Sequence, residues 1–192
     1  MRVVNYLARR VRTAGFDYQC FHVLRMCLDR VAAGGPLPAG LRLAPVSGDV
    51  VAASRSAVVS DCAWYGGQGS CGFALFRDED IVCLQWIWFG ARFAREAFWD
   101  LGAREAVSVH LVTVPEERGK GYATHLKRYS AECMREAGFV ALYSRVWWTN
   151  AASLRVNEKS GWYPVGLTLS VATPWRSRPY SWRWAFSPEL DR

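Results

Sequence analysis

The sequence contains no run of about 18 uninterrupted apolar residues, which excludes a helix that spans a bilayer. Its opening residues, MRVVNYLARRVR, lack the apolar stretch of a secretory signal. Histidine is scarce, three in all, and none of the six cysteines (Cys20, Cys27, Cys62, Cys71, Cys83, Cys133) stands in a CxxC pair or at zinc-ligand spacing from one. No metal site is therefore expected, and the cysteines read as reduced, mostly core residues of a cytoplasmic protein. Internal repeats and low-complexity tracts are absent as well. No block of lysine and arginine is interleaved with aromatics, so the net charge of +7 does not point to nucleic acid. Both common phosphate loops are also missing: GxxxxGK[ST] does not occur, and Thr124 stands where GxGxxG needs its third glycine.

What is present is a chain of 192 residues, 51% hydrophobic, with 10 tryptophans, enough for one domain with a real core. Residues 1–35 read as a basic helical lead-in, two short amphipathic helices broken at Thr13-Ala14-Gly15, with Arg9, Arg10, Arg25 and Arg30 among Leu7, Phe21, Leu24 and Met26. Such helices pack on the domain or dock on an anionic membrane or a partner. GGPLPAG then forms a linker, which sets a boundary between 1–40 and 41–192. LRLAPV predicts a strand, and Ser47 caps a helix through Val50, Val51, Ala53 and Val58. FALFRDED and IVCLQWIWFG predict a hairpin turning at Arg77 to Asp80, and the terminal aromatic strands predict another near Pro174 to Pro179.

The stretch from Val107 to Trp162 carries the chemistry. An apolar run ends at Pro115 and leads into Arg118-Gly119-Lys120-Gly121-Tyr122-Ala123, after which Ala123, Leu126, Ser130, Cys133, Met134 and Ala137 repeat at helical spacing. Glycines at a helix N-terminus let backbone N–H groups converge on an anion with no Cβ in the way. A second strand, Val140 to Trp148, precedes Asn150-x-x-Ser153-x-x-Val156-x-Glu158-Lys159-x-Gly161-Trp162. Together these two motifs resemble the pyrophosphate loop and the following N-x-x-[AS] helix of the GCN5-related N-acetyltransferases, in order and at the usual distance.

The resemblance implies an α/β (α+β) fold, a central mixed and mostly antiparallel twisted sheet flanked by helices, here with the N-terminal helical extension. It implies acetyl-CoA, or another acyl-CoA, as co-substrate, with residues 118–123 on its pyrophosphate. Leu111 and Thr113 would hold pantetheine through main chain, where a backbone N–H would also stabilise the developing oxyanion. Asn150 and Ser153 would meet the pantetheine arm. An amine acceptor is mostly protonated at pH 7, so a base is needed, and Glu105, His110 or an ordered water is the candidate. Where the family often carries a tyrosine as acid this chain has Asn157, which leaves Tyr143, Tyr163 or an unprotonated thiolate. Three readings stay open: an N-acyltransferase for a small amine or amino sugar, a protein acetyltransferase, and a CoA-binding module without turnover. The first is favoured by the aromatic surface of Trp86, Trp88, Trp175, Trp182 and Trp184. Beside it, Phe93, Phe98 and Trp99 lie in the long Gly90–Arg104 connection and line the acceptor site or pack in the core. A monomer or homodimer is expected.

Overall fold

The computed structural model describes residues 17–31, 35–94 and 98–186. Among them, strands β1 (Asp17–Cys27), β2 (Leu41–Val46), β3 (Ser70–Arg77), β4 (Asp80–Trp88), β5 (Glu105–Thr113), β6 (Ala141–Trp147), β7 (Tyr163–Thr173) and β8 (Arg176–Ala185) form one sheet in the order β2-β3-β4-β5-β6-β1-β7-β8. All neighbours are antiparallel except β5 and β6, which run parallel. Both hairpins form where the sequence predicts them. The first turns through Asp78, whose φ of 53° lies in the left-handed region that a short polar side chain tolerates.

Helices α1 (Gly48–Ala52), α2 (Ala57–Ser60), α3 (Gly90–Ala94), α4 (Tyr122–Glu136) and α5 (Ala151–Lys159) cover the sheet. On one face α4 lays down Leu126, Ala131 and Met134 against Leu75, Cys83 and Leu142. On the other, Val51 and Val59 from α1 and α2 close over Ala74, Phe76, Leu84 and Trp86. The predicted helix from Ser47 through Val58 is in fact these two short pieces, with Ser47 accepting from the Val50 N–H at the first.

The helical reading of the lead-in is overturned for the residues described. Asp17–Cys27 is a strand in the interior of the sheet, between β6 and β7, and Leu28–Arg30 is a single 3-10 turn. The segment placed before a boundary at residue 40 thus supplies an inner strand. Covered on both faces, β1 buries Val23 with one core cluster and Leu24 and Met26 with another. Its apolar residues therefore show no clean alternation, and their three-residue spacings imitate a helix. Residues 1–16 lie outside the described residues, and so does the predicted break at Thr13-Ala14-Gly15.

Candidate active site

β5 and β6 pair only over Glu105–Ser108 and Ala141–Ser144, and then part. The cause lies in β5. Trp86 faces His110 and Ile87 faces Ser108, so Val109 is an extra residue, and a bulge bends the strand that carries it. Beyond the bulge β5 follows β4 while β6 follows β1, and a cleft of about 710 Å³ opens between them. The N-terminus of α4 closes one end and α5 flanks the side.

Backbone groups of β5 face this gap by the alternation of an antiparallel ladder. The Val114 N–H donates to the Val82 carbonyl, so Val112 and Val114 point toward β4 and the peptide groups of Leu111 and Thr113 point away from it, into the cleft. The Thr113 carbonyl accepts from Arg118 Nε at 3.2 Å. At the glycine turn, Gly119 and Gly121 have φ of 81° and 83°, a conformation that side-chain-bearing residues adopt only under strain. A Cβ at either position would project into open space, and Gly121 caps α4 without any side-chain hydrogen bond. The first N–H groups of a helix have no partner within it, so Tyr122 and Ala123 present donors and the positive end of a 15-residue dipole to the cleft, while the Thr124 N–H donates back to the Gly121 carbonyl. The Lys120 ammonium instead pairs with Glu117 at 2.9 Å, and the Tyr122 hydroxyl accepts from Arg77 at 2.7 Å.

Asn150 caps α5, its side-chain oxygen accepting from the Ser153 N–H at 3.1 Å. Both residues line the cleft, as does Asn157, only 1% exposed. Asn157 Nδ2 donates to the Ser153 carbonyl at 2.8 Å, which fixes the amide orientation and leaves Oδ1 buried without a partner. Its amide N–H group is thus spent on the backbone one turn earlier in α5, and its oxygen is an acceptor with no proton to give a thiolate.

His110 and Glu105 go to different places. His110 lines the cleft from the α1/α2 face, stacked on the Tyr65 ring at 4.6 Å, with Nε2 3.1 Å from the Cys62 sulfur. Burial pushes its pKa down, so the ring is neutral at pH 7 and able to take a proton. Glu105 sits at the other end of β5, about 13 Å from Val109 at the rise of a strand. There it accepts from the Gly102 N–H at 2.8 Å and the Tyr143 hydroxyl at 3.3 Å, with Arg25 at 3.9 Å, and it does not line the cleft. Nor do the two substitute acids: Tyr143 is turned to Glu105, its pKa pushed up to about 12 mainly by burial, and Tyr163 meets Arg25 and Cys27.

Lys127 is the residue that sequence reading missed. It lies 2% exposed on α4, lines the cleft, and has its ammonium 4.2 Å over the Trp162 ring with no carboxylate beside it among the described residues. Burial pushes its pKa down to about 7. A signal was available: Lys127 stands four residues after Ala123 and three before Ser130, on the same buried stripe. Below it a buried network joins Ser108, Gln85 and Ser130, each contact 3.0 Å.

The expected acceptor aromatics divide. Trp88, Phe93 and Phe98 line a second cavity, whereas Trp86 is buried under α1 and α2. Trp99 packs beside Trp88 and over Gly166. Trp175, Trp182 and Trp184 are exposed on the terminal hairpin, at the sheet edge beyond β7, so they face no cavity described here. All six cysteines are free, and among the described residues no three His, Cys, Asp or Glu side chains gather as a metal site would require. No helix among them is long and apolar enough to cross a membrane.

No family model and no curated protein matches the sequence. Solved structures do match in three dimensions. The tandem GNAT protein from the clavulanic acid biosynthesis pathway superposes with a TM-score of 0.57 at 15% identity, covering 93% of this chain and 56% of that one. A GCN5-related N-acetyltransferase from Kribbella flavida gives 0.58 at 12%, over 88% of this chain and 63% of that one. Another, from Sphaerobacter thermophilus, gives 0.57 at 12%, over 88% and 56%. The chain thus spans between 56% and 63% of the lengths of these structures. Its fold is that of the GCN5-related N-acetyltransferases, a mixed, mostly antiparallel open sheet with helices.

Proposed function

We propose that the chain is an acyl-CoA-dependent N-acyltransferase that moves an acetyl group from acetyl-CoA to the primary amine of a small molecule in a ternary complex. The observation that carries this reading is the parting of β5 from β6 at Ser108 directly onto the glycine N-terminus of α4. One end of that cleft suits a pyrophosphate, and the peptide groups of Leu111 with the Thr113 N–H suit an amide-bearing arm lying as an added strand. In the reaction the amine attacks the thioester carbonyl, the C–S bond breaks, and the amine gives up one proton. His110 is the base on this reading, since it is the neutral imidazole at the cleft and Glu105 is remote. A backbone N–H beside the bulge at Val109 receives the developing oxyanion.

The departing thiolate meets Lys127. Asn157 offers it no proton, whereas an ammonium in a dry site stabilises an anion strongly. Asn157 is also the one feature that favours binding without turnover, and CoA release in the presence of amines decides between the two. The cofactor half of the proposal is tested by calorimetry. Gly121→Val introduces strain at a φ of 83° and a branched side chain among the N–H groups, and it should weaken acetyl-CoA binding at least about tenfold. Undiminished affinity in a folded variant would falsify the assignment.

A further inference from the structure

A second cavity, of about 130 Å³, lies on the α1/α2 face of the sheet. Its walls are aromatic: Trp64 and Tyr65 after α2, Trp88 at the end of β4, Phe93 from α3, and Phe98. These rings hold one another. Trp64 stacks on Tyr65 at 3.8 Å, Phe93 meets Phe98 edge-on at 5.4 Å, and the Trp88 indole N–H donates to the Tyr65 carbonyl at 2.8 Å. Ser108, Val109 and Arg145 line this cavity and the larger cleft alike. Their common border lies where β5 and β6 part, so the two spaces meet through the sheet, at the bulge.

Size and charge both restrict what fits. An apolar cavity of about 150 Å³ takes a benzene ring, so this one has room for a single ring and not for a linked pair. Among the described lining residues there is no carboxylate; the one charged group is Arg145, its guanidinium 4.9 Å from the Phe21 ring and 5.1 Å from Phe98. Arg92 backs the wall, 4.6 Å over the Trp88 ring and donating to the Trp64 carbonyl at 2.9 Å. Two of the lining rings, Trp88 and Phe98, thus already have a guanidinium for a cation partner. A polycationic acceptor would lose its hydration here and meet no carboxylate among the described lining residues. A polyol would bring hydroxyls that these walls leave largely unbonded. An apolar ring has neither cost.

We propose that this cavity is the acceptor site, and that the acceptor is a primary amine carried on one apolar or aromatic ring with no second positive charge. The proposal rests on the N-acyltransferase reading above. His110 lines the larger cleft and lies flat against Tyr65, a wall of the second cavity, so it then stands on the same side as the incoming nitrogen.

The test is acetyl transfer to four amines, phenethylamine, L-phenylalanine, glucosamine and kanamycin, with acetyl-CoA affinity measured by calorimetry on the same protein. The ring-bearing amines should show kcat/KM at least about tenfold above the sugars, the scale on which unmatched polar groups discriminate. Trp64→Ala, at a residue 63% exposed and so no threat to the core, should raise KM for the ring amines several-fold while acetyl-CoA affinity holds. Glucosamine or kanamycin turned over as fast as the ring amines would overturn the proposal. So would an unchanged KM in Trp64→Ala, or a protein that binds acetyl-CoA and acylates no ring amine above the buffer blank. Failure to bind acetyl-CoA at all would strike the underlying reading instead, and calorimetry separates that outcome from the others.

Discussion

Lys127 is an amine buried under the cleft with no carboxylate beside it among the described residues, and its environment accounts for the cost of charging it. Cys83 from β4 and the Trp162 ring after α5 are its neighbours; burial pushes that thiol's pKa up to about 11, so it stays neutral until the solution is strongly alkaline. The folded-state pKa of Lys127 is lowered to about 7 from the ordinary 10.5. Below pH 7 both folded and unfolded chains are protonated here, and the burial penalty is present in full. Between about pH 7 and 10.5 the unfolded chain binds a proton that the folded one does not, so this group makes stability rise with pH across that window. Lys127→Met should therefore stabilise the fold at pH 6, by about 1–4 kcal/mol, and the gain should shrink toward pH 10. It should also slow CoA release, because the thiolate loses its cation. Denaturant melts at the two pH values, paired with turnover, check both; a variant less stable than the parent at pH 6 would contradict the account. The sequence displays such a residue poorly, since a lysine in a helix is ordinarily a surface residue and only its place on the Ala123–Ser130 stripe says otherwise. Glu105 errs in the opposite direction. Its chemistry suits a base, but nothing along the strand says which end lies at the cleft, and the Gly102 N–H and Tyr143 hydroxyl that occupy it come from contacts invisible in sequence.

At the level of elements, α4 and α5 are legible because each combines a start signal, a stop glycine and a periodic apolar face, and the hairpins because a polar turn separates two apolar runs. β1 is not. Buried on both faces, it has the residue spacing of neither a half-buried strand nor a helix, and its partners are more than a hundred residues away in β6 and β7. The bulge at Val109 is equally silent, since an extra residue in a ladder shows only against the partner strand. The position of β1 carries a prediction. Removing residues 1–35 leaves every cleft residue in the chain but takes out the strand to which both β6 and β7 are bonded. The truncated protein should fail to fold, giving a disordered far-UV circular dichroism spectrum or aggregating, instead of remaining a smaller binder of acetyl-CoA. A soluble, cooperatively melting product that still binds acetyl-CoA would show β1 to be dispensable.

Taken whole, the sheet is two halves with a narrow seam. β2, β3, β4 and β5 form one, β6, β1, β7 and β8 the other, and between them the ladder runs only from Glu105 to Ser108 against Ala141 to Ser144. The proposed cofactor site straddles that seam, with the glycine turn and β5 on one side and Asn150, Ser153 and Asn157 of α5 on the other. A ligand bound across it favours the closed, folded arrangement and nothing in the unfolded chain. At a concentration one hundred times its Kd it should add about 2.7 kcal/mol, which for a domain of this size corresponds to a rise in Tm of roughly 5–10 °C. Part of that affinity is electrostatic, from Arg118 and the α4 N-terminus acting on phosphate near an exposed surface, so added salt should weaken binding and reduce the rise. The adenosine half alone, supplied as 3′,5′-ADP, reaches the glycine turn but not Leu111 or Asn157, and should stabilise the protein by much less. Thermal melts with acetyl-CoA, CoA and 3′,5′-ADP at low and high salt separate these contributions. Equal shifts from 3′,5′-ADP and acetyl-CoA would mean that the cleft between β5 and α5 takes no part in binding, and the seam would then have to be explained without a ligand.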